Sequence, residues 1–198
     1  MSNVFAFAPD YQEPPQFEML SNRVVYMAPF PTPNHNRAVV NIASIFRAYL
    51  RGNTIEVFAT GVDVFMEDDV VIPDVMIVGD RDKIKDDGIH GAPDLIVEVL
   101  APTTINHDKI YKMGLYERCG VREYWLVDTS SLSVDIYVLK DRKFTLHSTY
   151  GIVPYCLVNK MTDEERSSVI YFFNSPTFPG LEVNLSELFD NIASDLCK

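Results

Sequence analysis

VVIPDVMIV (Val70–Val78) and APDLIVEVL (Ala92–Leu100) decide how this chain folds. Short aliphatic and β-branched runs bounded by turn residues read as strands buried on both faces. Such a strand has no place for a charge in its middle, yet Glu98 sits between Val97 and Val99. A buried carboxylate must protonate, find a cation or coordinate a metal. A buried ion pair or a half-exposed edge strand would also accommodate it. Asp94 leaves the strand on the same face as Glu98, because the spacing is even, and Asp74 follows its own proline in the first run. If the two strands are neighbours, several carboxylates converge, and a divalent cation with oxygen ligands relieves their repulsion.

Outward from this pair, Pro102-Thr103-Thr104 starts a helix with Thr as N-cap, and Gly120 stops it. Helical spacing turns Ile105, Asp108, Lys112, Leu115, Tyr116 and Cys119 inward. Lys112 thus points with the apolar residues and can meet the carboxylates. The plain alternative for Asp108 and Lys112 is an exposed i,i+4 ion pair. Upstream, Thr32-Pro33 caps a helix to about Leu50 with the stripe His35, Val39, Ile42, Ala43, Phe46, Tyr49 and Leu50. His35 either leans toward the carboxylates or is simply a polar residue at a helix terminus.

Pro73-Asp74, Pro93-Asp94-Leu95 with Glu98-Val99-Leu100, Asp108 with Lys112 and Tyr116, and Gly120-Val121-Arg122-Glu123-Tyr124-Trp125 occur in that order. This set resembles the Uma family of putative restriction endonucleases, within the PD-(D/E)XK nuclease superfamily. The similarity runs from about Pro33 to Phe189 and includes Phe178-Pro179-Gly180-Leu181. It implies a restriction-endonuclease-like α/β fold, a mixed sheet flanked by helices. It also implies Mg²⁺ or Mn²⁺ held by Asp74, Glu98 and the backbone carbonyl of Val99, with Lys112 as the catalytic lysine. Asp94, Asp108, His35 and Tyr116 are the candidate supporting residues. In the wider superfamily the lysine lies two residues after the acid, where this chain has Leu100. Ala101 stands where the family commonly has Ser, and the first helix lacks the Glu that the superfamily often carries there. The implied activity is DNA phosphodiester hydrolysis, by a homodimer where both strands are cut. The rival is a nuclease-fold binding or assembly protein without turnover.

The 198 residues suit one domain at 32–198 behind an extended, proline-rich arm at 1–31 with at most a short strand near Arg23–Met27. No apolar run is long enough for a membrane span and no export signal is evident, so a cytoplasmic protein is expected. Three cysteines at unrelated spacings suggest free thiols. The net charge of −11 opposes generic nucleic-acid binding. Local clusters (Arg81-Lys83-Lys85, Lys109-Lys112-Arg118-Arg122 and Lys140-Arg142-Lys143) lead us to expect weak, salt-sensitive, metal-assisted binding of DNA. Ile55–Met66 reads as one strand bent at Gly61, and Gly79–Gly91 as a mobile connection able to gate the site. Val134–Leu139 and Lys143–His147 read as a hairpin, Thr162 with Glu165 as a capping box, Ser168–Phe173 as a strand and Asn184–Leu196 as a closing helix.

Overall fold

A computed structural model describes residues 17–20, 23–26, 31–102 and 104–192. Its backbone is a six-stranded mixed sheet in the order β12-β11-β10-β9-β6-β3. These strands are β3 (Glu56–Ala59), β6 (Val75–Val78), β9 (Leu95–Val99), β10 (Glu123–Asp128), β11 (Ser133–Lys140) and β12 (Lys143–Gly151). Only β9 and β10 pair in parallel; the other neighbours are antiparallel. A smaller sheet, β2-β1-β5-β4-β8-β7, lies beside it. It is built from β1 (Phe17–Leu20), β2 (Arg23–Tyr26), β4 (Val64–Met66), β5 (Asp69–Val71), β7 (Ile84–Lys85) and β8 (Gly88–His90).

Strand alternation sorts the two cores. Val75, Ile77, Leu95, Val97, Val99, Trp125 and Val127 point to one face, where they meet Val39, Ile42 and Phe46 of α1 (Pro33–Tyr49). The opposite face carries Met76, Val78, Ile96, Tyr124 and Leu126, which pack with Leu115 and Tyr116 and with Leu20, Val64 and Val71 of the small sheet. Alternation on β9 sends Glu98 to this second face, among the residues that join the two sheets. Helix α1 begins as its sequence dictates: the Thr32 side chain accepts from the His35 N–H, and proline occupies the first turn.

Two expected continuous strands are each split between the sheets. VVIPDVMIV becomes β5 and β6 because Pro73 lacks the N–H that a central strand requires. Ile55–Met66 becomes β3 and β4, parted at Thr60 (φ 36°) and Gly61 (φ 76°). The expected mobile connection at Gly79–Gly91 is instead ordered: a 3-10 turn at Arg81–Lys83 leads into the β7–β8 hairpin, and β8 pairs in parallel with β4.

The second helix is also not uniform. Residues His107–Lys112 form a π-helical turn before α2 (Met113–Cys119), which Gly120 ends in the left-handed region at φ 88°. Within the arm, β1 and β2 form a hairpin, and β1 adds to β5 through Met19 opposite Val70. The expected strand near Arg23 is present as β2; its Met27 end and the Thr103 cap lie outside the described residues. Beyond the sheets come α3 (Tyr155–Val158) and α4 (Asp163–Ser167), the latter carrying the Thr162–Glu165 capping box. The strand expected at Ser168–Phe173 is shorter and later: β13 (Phe172–Asn174) pairs with β14 (Glu182–Asn184). Asn184 caps α5 (Leu185–Leu188), and the end of the expected closing helix is outside the described residues. Cys119 is free, but Cys156 is disulfide-bonded, against the expectation of free thiols. Unrelated spacings in sequence do not reveal which cysteines meet in space.

Candidate active site

The β6–β9 register pairs Val75 with Val97 and Met76 with Ile96, so the next position sets Asp74 beside Glu98. Here Asp74 caps the strand end instead of continuing the ladder: its Oδ2 accepts the Val99 N–H at 2.7 Å. His35, one turn into α1, places Nε2 3.2 Å from the same oxygen. Burial disfavours the imidazolium, but the hydrogen bond and negative charge of Asp74 outweigh it and raise the His35 pKa. Among the described residues, nothing hydrogen-bonds the buried His35 Nδ1.

Glu98, opposite Asp74 in that register, is 3 % exposed and receives two donors on one oxygen. Lys112 Nζ is 3.0 Å and the Tyr116 hydroxyl 2.7 Å from its Oε1. The π turn explains how Lys112 arrives there. The Met113 N–H reaches back to the Asp108 carbonyl, which also accepts from the Tyr124 hydroxyl at 3.1 Å. This widened turn keeps Asp108 and Lys112 both facing inward. Asp108 Oδ1 is 3.6 Å from Nζ, while its Oδ2 accepts the Thr104 hydroxyl at 2.8 Å. The pair is therefore buried, not the exposed i,i+4 bridge that the spacing also allowed.

Electrostatics follow from this crowding. Burial first, then the charges of Asp108, Asp74 and Glu18, push the Glu98 carboxyl well above the usual range against the pull of Lys112. Asp108 is raised by burial as well. Burial alone would lower the Lys112 pKa, but Glu98, Glu18 and Asp108 hold it above the ordinary lysine value.

Two participants escaped the sequence reading. Glu18 on β1, 2 % exposed, sends Oε1 to within 2.8 Å of Lys112 Nζ, and the same oxygen accepts the Ile72 N–H at 2.8 Å. Its Oε2 lies 3.0 Å from His107 Nε2. Burial opposes the Glu18 carboxylate, yet His107, Lys112 and the Ile72 N–H together lower its pKa. The only hint was one acid among Phe17, Met19 and Leu20 in a proline-rich stretch, too short to show a period.

Asp94 is not part of this cluster. Four residues along a strand is about 13 Å, so a shared face does not bring it to Glu98. Instead Oδ2 accepts the Gly79 N–H at 2.6 Å and Oδ1 pairs with Arg122 at 2.8 Å. A Cβ on Gly79 would stand 2.9 Å from that carboxylate, which accounts for glycine there.

The oxygen donors of Asp74 and Glu98 suit a hard divalent ion. Mg²⁺ commonly takes one or two carboxylates and completes its shell with water and substrate phosphate. Among the described residues no group of three or more His, Cys, Asp and Glu side chains forms a metal cage. Glu18, Glu98 and Asp108 nevertheless lie within 3.6 Å of the Lys112 ammonium, with Asp74 opposite Glu98 and paired to His35, an acid-rich cluster that a divalent ion would balance.

A crystal structure of "a putative nuclease belonging to DUF820" from Anabaena variabilis ATCC 29413 superposes with a TM-score of 0.61, covering 88 % of this chain and 90 % of that one at 14 % identity. That likeness concerns the fold. "Uncharacterized protein slr1290" from Synechocystis sp. (strain ATCC 27184 / PCC 6803 / Kazusa) is 28 % identical over 111 residues. The match covers 54 % of this chain and 58 % of the relative's length. The family model Uma2, "Putative restriction endonuclease", matches residues 6–159. The chain therefore belongs to the Uma2 family of putative restriction endonucleases.

Proposed function

We propose that the chain is a divalent-metal-dependent endonuclease that hydrolyses DNA phosphodiester bonds. The observation that carries this reading is the β6–β9 register, which sets Asp74 beside Glu98 while Lys112 reaches Glu98 from the π turn. Asp74 and Glu98, with the Val99 carbonyl, would hold Mg²⁺ or Mn²⁺. When bound, such an ion polarises a phosphoryl oxygen and acidifies water. Lys112, fixed as an ammonium, steadies the negative charge that grows on phosphorus oxygens or orients the attacking water. Tyr116 fixes the rotamer of Glu98, Asp108 flanks the ammonium, and His35 holds Asp74.

Supercoiled and linear DNA incubated with Mn²⁺ or Mg²⁺ tests the proposal. Cleavage by wild type should fall by about 10²-fold or more in Asp74→Ala and Lys112→Ala. Equal, metal-independent background in all three would remove it. The second reading, a nuclease-fold binding protein without turnover, is favoured by one observation: Asp74, Glu98, Asp108 and Glu18 each already engage partners within the chain. Metal-independent DNA binding without cleavage would select it. No described helix is long and apolar enough to cross a membrane. A cytoplasmic location and a homodimer remain part of the proposal.

A further inference from the structure

Lys112 has three carboxylates within reach, and they are not equivalent. Glu18 Oε1 is the nearest at 2.8 Å, ahead of Glu98 at 3.0 Å and Asp108 at 3.6 Å. Glu98 must also serve any bound ion, and Asp108 spends its other oxygen on Thr104. Glu18 is held from three directions: the Ile72 N–H and Lys112 share one oxygen, and His107 takes the other. Its strand is tied to the small sheet by β5, so the carboxylate comes from a different sheet than Glu98.

We propose that Glu18 is the positioning residue of the site, the side chain that fixes the Lys112 ammonium while Glu98 turns to ion or substrate. The N-terminal hairpin then completes the site from outside the large sheet. A helix-borne lysine, longer in reach than one placed two residues after the acid, needs such a second anchor because its flexible stem otherwise samples many rotamers. This rests on the nuclease reading for its catalytic consequence but not for its geometry.

The experiment uses the full chain with ¹⁵N-lysine. An ammonium held by short ion pairs away from water gives a persistent ¹H–¹⁵N resonance, and that of Lys112 is followed in wild type, Glu18→Gln, Glu18→Asp and Asp108→Asn. The expected result is loss or a large shift in Glu18→Gln, with the far-ultraviolet spectrum unchanged, and a smaller effect in Asp108→Asn. On DNA with Mn²⁺, kcat of Glu18→Gln should fall about tenfold or more with KM within about threefold, and Glu18→Asp should recover part of it. An unchanged Lys112 resonance in Glu18→Gln, or loss in Asp108→Asn alone, overturns the proposal. If wild type does not cut DNA, the nuclease reading falls, while the resonance still decides whether Glu18 holds Lys112.

Discussion

At the scale of single residues, Glu18 carries a pH signature. Its pKa is lowered in the folded state, so its contribution to stability is present above the ordinary value of 4.5 and disappears as pH falls through the lowered one. Urea unfolding should show wild type more stable than Glu18→Gln at neutral pH, with the gap closing below pH 4.5. Nothing local in the sequence marks Glu18, because its partner His107 is 89 residues away. Glu98 stands out because alternation on one strand buries it, and Lys112 and Tyr116 because helical spacing points them the same way. Asp94 misled for the opposite reason: face is a local property, but reach along the strand is not. For Asp94, Asp94→Asn should change cleavage by less than about tenfold, because the side chain holds Gly79 and Arg122 and not the Lys112 cluster.

At the scale of elements, capping and turn chemistry located α1, β10 and the β11–β12 hairpin, whose signals are strong and local. Sheet membership was not legible. Pro73 marks a break in VVIPDVMIV, but whether the halves stay in one sheet depends on partners elsewhere in the chain. The π turn was equally unreadable, since the same residues satisfy an ordinary helical stripe. Glu123 belongs to this scale as the strut of an element. It is fully buried, and its carboxylate accepts from the Trp125 indole at 2.6 Å, the Ser175 hydroxyl at 2.8 Å and the Thr177 N–H at 2.8 Å. It thereby fastens the segment leading to β14 against β10. Glu123→Ala should cost about 3 kcal/mol in denaturant unfolding, because it leaves buried donors without acceptors.

At the scale of the whole molecule, acidity and pairing limit how DNA can be met. Several cations that looked available in sequence are engaged: Arg81 with Glu56, Lys83 with the Ala92 carbonyl, Arg118 with Glu67 and Asp69, Arg122 with Asp94 and Lys143 with Glu117. With a net charge of −11 and these cations paired, the long-range attraction for phosphate is weak. The plot of log Kobs against log salt for DNA binding in Mn²⁺ should therefore have a slope no steeper than about −3. The seam between the two sheets carries a cluster of buried charged groups, Glu18, Glu98, Asp108 and Lys112, amid its hydrocarbon. Lys112→Met alone strands three carboxylates and should lower the melting temperature. Adding Glu18→Gln and Glu98→Gln should win back most of that loss in a protein that cuts nothing. Selection for heat tolerance alone would therefore erode this seam first, and survival of its charges through generations of descendants would be a record of use.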